Sequence, residues 1–236
     1  MTSTAHSPLA ATRAPQSVLF CWSGGKDSAM ALHALRQQNA VRISGLLTTV
    51  TEGYDRISMH GVRRSLLLQQ AEAIGLPLQE VRIPPQCGNP IYEARMEAAL
   101  RTQLAQGART VAFGDIFLQD LREYRERNLA RVGMDAVFPI WKRDTRDLAR
   151  EFCTLGFRAI AVCIDSKKLS REFVGRELDE SFFRDLPDGI DPCGENGEFH
   201  SFAYDGPIFS RPITVQRGKV VERGGFCFRD LLEAAP

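Results

Sequence analysis

The chain has 236 residues, of which 44% are hydrophobic and 25% are charged, so it can bury a substantial core and is expected to be soluble and ordered. Its formal net charge of +1 and its pI of about 7.6 give no bulk electrostatic reason to bind nucleic acid or an anionic membrane, and we expect neither as a partner. It has no apolar run of the ~20 residues that a membrane helix needs and no signal-peptide core, which predicts a cytoplasmic protein.

The first half of the chain alternates strand-like apolar runs with helical periods. Residues 1–16 are rich in Ser, Thr, Ala and Pro and lack a hydrophobic period, which predicts a disordered tail. Beyond the tail the predicted strands are 17–22, 41–50, 78–83 and 110–115, and the predicted helices are 28–38, 62–74 and 90–105. Such alternation is typical of an α/β fold with a parallel sheet covered by helices on both faces.

The second half has a mixed pattern. Its predicted elements are a strand at 136–141, a helix at 144–155 capped by Asp144 or Thr145, a strand at 158–164 and a helix at 173–186. A closing hairpin is expected to turn at Arg217 and Gly218. We therefore predict a first domain over residues 17–132 and a smaller α+β domain over residues 133–236, with the ligand cleft of the first domain facing the second.

A short polar loop separates the first predicted strand from the first predicted helix. Its paired glycines let the backbone approach a ligand closely, and the unpaired N–H groups and dipole of the helix start favour an anion. Its lysine adds a positive charge, its aspartate can cap the helix or hold a metal ion, and its hydroxyls can bind phosphate oxygens. A polyphosphate is the expected ligand, and the alternative is a glycine turn without a ligand. The loop consists of Ser23, Gly24, Gly25, Lys26, Asp27 and Ser28.

An ordinary P-loop does not fit this stretch. That motif needs a glycine five positions before Gly25 and a Ser or Thr directly after the lysine. Phe20 and Asp27 occupy those two positions. The loop therefore binds phosphate, if at all, by a different motif.

Further candidates lie at the other strand ends, where ligands of parallel sheets bind. Thr48 and Gly114 are expected beside the nucleotide, and Asp115 together with the loop aspartate is a candidate magnesium ligand. Asp115 has a helix cap as its alternative role, and His60 is either a nucleotide contact or a solvated loop residue. In the next predicted helix, Arg122 and Arg125 could meet a phosphate or a substrate carboxylate, although most charges there are typical of a solvated face.

Residues 191–209 pack carboxylates and a histidine among glycines and aromatic residues, which favours a rigid loop that presents polar groups over a packed strand. A plain turn-rich loop is the alternative. Cys193 lies in this stretch, but none of the six cysteines forms a C-x-x-C pair, so we expect reduced thiols and a packing role for Cys193. The candidate acceptor-binding residues are Glu195, Glu198, His200 and Asp205.

The SGGKDS loop resembles that of the N-type PP-loop ATP pyrophosphatases, whose hallmark is an SGGxDS loop that grips the leaving pyrophosphate. Together with residues 114–116, 139–141, 194–198 and 205–209, it makes the chain similar to the diphthine–ammonia ligase family. The resemblance covers nearly everything after the tail. It implies a HUP-type nucleotide domain, ATP and Mg²⁺ as cofactors, and ammonia and a carboxylate as substrates.

The resemblance also implies residue roles. The loop would hold the β and γ phosphates while Lys26 and Mg²⁺ offset the charge on the leaving pyrophosphate, and AMP would pass to the substrate carboxylate before ammonia replaces it. Glu195, Glu198 and His200 would orient the acceptor or deprotonate the amine. A homodimer is compatible with this assignment.

The chain departs from the family pattern at two places. Archaeal and eukaryotic members usually carry a GDI-x-S stretch and a GEGGEYET-like signature, whereas residues 117–119 are Phe-Leu-Gln and residues 194–201 read GENGEFHS. The chain resembles a bacterial branch, for which diphthine is not the expected acceptor. Two alternatives stay open: a regulatory protein or pyrophosphatase without ligase activity, and a PP-loop RNA-modifying enzyme, which would be expected to have paired cysteines or a basic domain.

Overall fold

The computed structural model describes residues 15–38, 40–57 and 61–234. Over these ranges the chain forms two sheets, and helices pack against the first one. The strands are β1 Gln16–Cys21, β2 Val41–Thr51, β3 Arg56–Ile57, β4 Leu78–Ile83, β5 Thr110–Ala112, β6 Asp135–Val137, β7 Arg158–Asp165, β8 Phe199–Asp205, β9 Val215–Arg223 and β10 Phe226–Glu233. The helices are α1 Lys26–Arg36, α2 Arg64–Ile74, α3 Asn89–Ala105, α4 Gln119–Ala130, α5 Thr145–Thr154 and α6 Glu180–Arg184, and a 3₁₀ turn spans Arg171–Phe173.

The first sheet has the strand order β3-β2-β1-β5-β6, and β4 also pairs with β2. Within the described residues its pairings are parallel except for the short antiparallel pairing of β3 with β2. β1 is central and apolar on both faces: Val18 and Phe20 pack on one side and Leu19 on the other. Because both faces are covered, the strand reads as a continuous apolar run, as predicted for this α/β fold.

The second sheet is antiparallel, with the order β8-β7-β10-β9. It belongs to the same core cluster as one face of the first sheet, in which α1, α2 and α5 also take part. The other face of the first sheet packs against α3 and α4 through Leu100 and Leu129. The second sheet therefore lies against the first rather than apart from it, and this places the end of β1 beside β8.

Several predicted elements differ from the structure. The predicted strand 136–141 is β6, and it joins the first sheet, so that sheet extends beyond the boundary proposed at residue 132. The predicted helix 173–186 is only the 3₁₀ turn and α6. Part of the predicted loop 191–209 is the strand β8.

The closing hairpin exists, but its predicted turn at residues 217–218 is wrong. β9 runs straight through those residues, and the turn lies at Gly224 and Gly225, with φ of 60° and 83°. A two-residue hairpin turn of type I′ needs left-handed φ at both central positions, which a Gly-Gly pair provides at the least strain.

The prediction of a disordered tail over residues 1–16 falls mostly outside the described residues, although Gln16 belongs to β1. The candidate His60 also lies outside them. None of the helices in the described ranges is both long and apolar enough to cross a membrane.

Candidate active site

A cavity of about 1080 Å³ lies at the carboxyl edge of the first sheet, where that edge faces the second sheet. The ends of β1, β2 and β5 form one wall, and residues 193–197 and 199–201 with the β9–β10 hairpin form the other. Ligands of parallel α/β sheets bind at this edge. The volume is sufficient for a nucleotide together with a second substrate.

The loop of residues 23–28 contributes to the first wall. Gly25 caps α1 in an extended conformation and offers no side-chain cap, while Gly24 has a φ of +81° that favours glycine. The Ser28 hydroxyl donates to the Gly25 carbonyl at 2.9 Å, and the Ser23 hydroxyl donates to Ser28 Oγ at 3.0 Å. The loop is thus pre-shaped, and it presents the positive end of an 11-residue helix to the cavity.

Gln70 fixes this loop from behind. Its side chain is fully buried, its Nε2 donates to the Gly24 carbonyl at 3.0 Å and also to the Ala203 carbonyl, and its Oε1 accepts from Trp22 Nε1 at 3.0 Å. The sequence analysis missed Gln70. The signal was present: it is a polar residue on the buried face of α2, three and four positions after Leu67 and Leu66.

The second sheet also holds the loop through β8. The Ala203 N–H donates to the Gly24 carbonyl at 2.8 Å, and the Lys26 N–H donates to Ser201 Oγ at 3.0 Å. These bonds join residues about 175 positions apart in the chain, so no local pattern predicts them. The shape of the loop therefore depends on both sheets.

Lys26 lies beneath the cavity wall. Its side chain is 1% exposed, forms an ion pair with Asp27 and lies next to Cys193. Burial by itself would lower the pKa of Lys26, but Asp27 and then Cys193 raise it above its usual value, so the ammonium stays charged. Among the described residues that line the cavity, Asp27 is present and Lys26 is not. The loop lysine thus contributes its charge from below the surface.

The end of β5 brings Gly114 and Asp115 to the cavity, as the sequence placed them. A Cβ atom on Gly114 would lie 3.0 Å from Ser28 N and 3.1 Å from Asp27 C, so glycine allows this strand end to touch the start of α1. Asp115 is buried and pairs with Arg125, with 2.7 Å between Oδ2 and Nε and a hydrogen bond of 3.0 Å from Nη2 to Oδ1. Asp115 thus orients Arg125 and does not cap α4, whose N-cap is Leu118.

Thr48 is buried at the end of β2 and lines the same wall. Arg125 lines it too, with its guanidinium 4.4 Å from the centroid of the Phe113 ring. Arg122 is placed differently: it pairs with Glu126 at 2.8 Å and stacks over the rings of residues 138 and 141. Of the two predicted arginines, only Arg125 is among the cavity-lining residues that the structure describes.

Glu195 joins the two walls. Its Oε1 accepts the Ile116 N–H at 2.7 Å, and its own N–H donates to Asp191 Oδ2 at 2.8 Å. Burial raises the pKa of Glu195 from 4.5 to about 7; the Ile116 hydrogen bond opposes this shift, and the carboxylates of Asp27 and Asp115 add to it. A carboxylate with a pKa near 7 can accept a proton at neutral pH.

The other candidate acceptor-binding residues of the stretch 191–209 do not all reach the cavity. His200 lines the cavity, and burial lowers its pKa although Asp27 opposes the shift, so it is neutral at pH 7. Glu198 is 2% exposed and supports the loop from inside: its Oε1 accepts the Asp191 N–H at 3.3 Å. Asp205 lies at the far end of β8 and accepts the Gly206 N–H at 2.8 Å. The structure thus places neither Glu198 nor Asp205 among the described lining residues, because both side chains serve the local backbone.

Comparison with protein-family models gives two matches. The model of the diphthamide synthase N-terminal domain matches residues 16–136, and that of the diphthamide synthase C-terminal domain matches residues 144–230. The chain belongs to the diphthamide synthase family. Within this family assignment, the N-terminal match contains the SGGKDS loop and the C-terminal match contains Glu195.

Curated relatives of this diphthamide synthase family chain are named diphthine–ammonia ligases. The chain is 26% identical to the one from Mus musculus over 228 residues, covering 87% of this chain and 85% of that protein. It is 25% identical to the one from Homo sapiens, covering 72% and 66%. The relative from Schizosaccharomyces pombe is 26% identical over 89% of this chain, which spans only 38% of that longer protein.

Among solved structures, the U34-tRNA thiolase NcsA from Methanococcus maripaludis with its 4Fe-4S cluster aligns with 61% of this chain and 59% of its own. The sequence identity is 17% and the TM-score is 0.38. A likeness this weak says nothing about a shared reaction. The assignment to the diphthamide synthase family does not depend on it.

The six cysteines of this diphthamide synthase family chain are free thiols. Burial raises the pKa of Cys193 to about 12, with Lys26 opposing the shift and Asp27 adding to it, and burial also raises the pKa of Cys21 to about 12. Thiols that hold their protons at neutral pH are poor nucleophiles. Cys193 instead packs beside Lys26, and its Sγ lies 3.5 Å from the Thr145 carbonyl oxygen, which is consistent with the packing role predicted for it.

Carboxylates are also the candidate metal ligands of this diphthamide synthase family chain. The described residues contain no group of three or more His, Cys, Asp or Glu side chains arranged to hold a metal ion. Asp27 and Asp115 both line the cavity, however, and each pairs with a cationic side chain. Two carboxylates fit a Mg²⁺ ion that takes its remaining oxygen ligands from a polyphosphate.

Proposed function

We propose that this chain is an ATP-dependent carboxylate–ammonia ligase of the diphthine–ammonia ligase type. It would transfer AMP to a substrate carboxylate, release pyrophosphate and then form the amide with ammonia. The observation that carries the proposal is the position of the SGGKDS loop: it opens onto the same cavity as Glu195, whose pKa of about 7 suits proton transfer. The match of both halves of the chain to diphthamide synthase domains supports the same reaction.

The phosphate-binding step would use the loop. The N-terminus of α1 and the hydroxyls of Ser23 and Ser28 would bind the β and γ phosphates. Lys26, charged beneath the wall, would offset negative charge on the departing pyrophosphate without moving during the reaction. The substrate carboxylate would attack the α-phosphorus, and the bond between that phosphorus and the bridging oxygen would break, with its electron pair leaving on pyrophosphate.

Magnesium would be held by Asp27 and Asp115, and when bound it would neutralise phosphate charge. The two carboxylates would then exchange part of their contact with Lys26 and Arg125 for the metal. This part of the proposal predicts that nucleotide binding strengthens with Mg²⁺ in the unaltered protein. The same titration should give a much weaker dependence in Asp115→Asn.

The amide-forming step would use Glu195. Ammonia would attack the carbonyl carbon of the acyl-adenylate, AMP would leave with the bonding electrons, and the new nitrogen would lose one proton. Glu195 would accept that proton, since its carboxylate is at the cavity and burial raises its pKa to about 7. Neutral His200 lies in the same wall and would orient the acceptor.

Three further parts of the proposal come from the sequence alone. The departures at residues 117–119 and 194–201 favour a bacterial-type branch with an acceptor other than diphthine. We also propose a cytoplasmic location and a homodimer, the latter open to sedimentation analysis. The first sheet would serve the nucleotide and the second the acceptor.

The reaction is tested by product analysis. Purified protein is incubated with ATP labelled at the α-phosphorus, Mg²⁺, ammonium and a panel of small carboxylates, and AMP, pyrophosphate and amide are quantified. The proposal predicts equal amounts of the three products over many turnovers when both acceptor and ammonium are present, and at most one pyrophosphate per protein when ammonium is left out. Release of ADP and phosphate would contradict it, and tight ATP binding without turnover would identify a nucleotide-responsive regulator instead.

A further inference from the structure

The acidic residues that line the cavity lie at one end, where Arg125 pairs with Asp115, and the other two lining arginines that the structure describes lie away from them. Its acidic lining residues, within the described ranges, are Asp27, Asp115 and Glu195, and all three lie beside the SGGKDS loop and the end of β5. The opposite end carries arginines and aromatic rings. We refer to it as the arginine end, and it consists of Tyr54, Arg56, Gly61, Arg223, Phe226 and Phe228.

Sheet topology separates the arginine end from the phosphate loop. β8 contacts the loop through the Ala203 N–H, whereas β9, which carries Arg223, is the fourth strand in the order β8-β7-β10-β9. Three strand spacings of ~4.8 Å place β9 about 14 Å from β8. A chemical group bound by Arg223 is therefore not one of the phosphates bound at the loop.

The Phe228 ring is the centre of the arginine end. The Arg223 guanidinium carbon lies 5.6 Å from the centroid of this ring, and a Cβ atom on Gly61 would lie 3.3 Å from its edge. Arg56 Nη1 donates to the Gly61 carbonyl at 2.6 Å. The Phe226 ring completes the wall, with its centroid 6.3 Å from that of Phe228. Arg223 thus contacts the ring directly, and Arg56 holds Gly61, which lies against the same ring.

The positive charge at this end is not fully balanced. Arg56 pairs with Asp230 at 3.0 Å, but Arg63 pairs with the same carboxylate at 2.7 Å, so two guanidinium groups share one negative charge. Among the described residues, no carboxylate forms an ion pair with Arg223. A guanidinium beside an aromatic floor binds a carboxylate or phosphate group in two-point fashion, and it disfavours a cation.

We propose that the arginine end is the acceptor subsite and that it selects an acceptor carrying a second anionic group, bound by Arg223 with support from Arg56. The acceptor would then be at least a dianion: one carboxylate reaches the loop end to react, and the other anionic group anchors the molecule on the hairpin. This inference rests on the proposed ligase function for the identity of the reacting carboxylate. It assigns Arg223 a role in specificity that the sequence analysis did not find.

The test compares three probes that share one carboxylate and differ at the other end: glutarate carries a second anion, butyrate is neutral there, and 4-aminobutyrate carries a cation. Binding of each is measured by calorimetry with the protein saturated with α,β-methylene-ATP and Mg²⁺. We expect glutarate to bind about tenfold more tightly than butyrate, and 4-aminobutyrate to bind least, since a hydrogen-bonded charge pair is worth this much or more.

Arg223→Gln should abolish the preference for glutarate over butyrate and leave nucleotide affinity unchanged. Lys219→Gln is the matched control, since Lys219 is an exposed cation on the same strand and lies outside the described lining. It should retain the preference. Equal binding of the probes by the wild type, no binding of any probe, or an unchanged preference in Arg223→Gln would overturn the inference. So would a loss of nucleotide affinity in Arg223→Gln with its selectivity intact, because that would assign Arg223 to ATP.

The two proposals fail in distinguishable ways. If AMP and amide form without any preference for a second anionic group, the ligase function stands and the subsite is wrong. If the preference for glutarate depends on Arg223 while ATP is converted to ADP, the subsite stands and the ligase function is wrong.

Discussion

The two ends of the cavity are built in opposite ways. At the loop end, Lys26 and Gln70 are buried, and hydrogen bonds from α2 and β8 converge on Gly24. At the arginine end, Arg223 is exposed and its charge is not compensated by a carboxylate among the described residues. On the proposed assignment, changes at the loop end should therefore alter stability and catalysis together. Changes at the arginine end should alter acceptor binding alone.

The largest expected effect is that of Lys26→Ala. It removes the buried charge beneath the loop and leaves Asp27 without its cation, so AMP production should fall by about 100-fold or more. Pyrophosphate release measures it, and Lys219→Ala is the exposed control. A variant that releases pyrophosphate at the wild-type rate would show that the loop end does not take part in catalysis, and the proposed difference between the two ends would be wrong.

Gln70→Leu should lower stability, because Gln70 supports the loop. It leaves the Trp22 indole N–H buried without its acceptor and deprives two carbonyl groups of a donor, which should lower the free energy of unfolding by about 1–3 kcal/mol. Urea denaturation gives this value, and a nucleotide titration should show weaker ATP binding as well. Gln69→Leu on the same helix is the control, since within the described residues the Gln69 side chain makes only an exposed hydrogen bond of 3.0 Å to Glu233. If the two variants have the same stability and the same ATP affinity, the loop does not depend on the hydrogen bonds of Gln70.

Gly114→Ala adds one methyl group where the end of β5 contacts the start of α1, and so tests whether this contact shapes the loop. The added carbon would press on the backbone of Asp27 and Ser28, which cannot rotate away as a side chain could. We expect a cost of about 1–3 kcal/mol in stability and a loss of ATP affinity. At Gly88 an added Cβ would lie 3.7 Å from Pro90 Cδ, an ordinary contact, so Gly88→Ala should bind ATP as the wild type does. Undiminished affinity in Gly114→Ala would show that the strand end does not shape the loop.

Glu195→Gln should have the smallest effect on stability and a distinctive dependence on pH. The native state raises the pKa of Glu195 from 4.5 to about 7, so it binds the proton more tightly than the unfolded chain does. The resulting stability is fully present below about pH 4.5 and is lost as the pH rises through about 7. Relative to the glutamine variant, the wild type should therefore become less stable between about pH 5 and about pH 8.

The pH dependence of activity is a second test of the role of Glu195. The deprotonated form is the base, so at a fixed concentration of unprotonated ammonia the rate of amide formation should rise with pH through about 7 in the wild type, and Glu195→Gln should not show this rise. Glu172→Gln, at an exposed glutamate, should retain it. An identical pH profile in Glu195→Gln would contradict the role of this carboxylate as the proton acceptor.

Local patterns predicted the parts of the fold that local interactions determine. The strand β4 has the predicted bounds because Gly75 and Pro84 end the neighbouring segments, and Asp144 caps α5 as expected, accepting the Arg146 and Asp147 N–H groups. The strand β8 was missed because its polar residues, such as His200, face the cavity and break the expected alternation.

The same distinction between local and long-range interactions applies to the candidate site. The loop at residues 23–28 and the strand end at Gly114 were placed correctly, because both follow directly from the strand that precedes them. Ser201 and Arg223 were not identified, since each reaches the cavity only through the pairing of distant strands. The burial of Lys26 is likewise a tertiary result, since Cys193 from the second half of the chain lies beside it.

The most direct measurement is a crystal structure with α,β-methylene-ATP and Mg²⁺ bound. The account predicts that the β and γ phosphates lie against the hydroxyls of Ser23 and Ser28 at the start of α1, and that the α-phosphorus faces the space between the loop and Glu195. A triphosphate bound instead at Arg223, or a nucleotide outside this cavity, would contradict it.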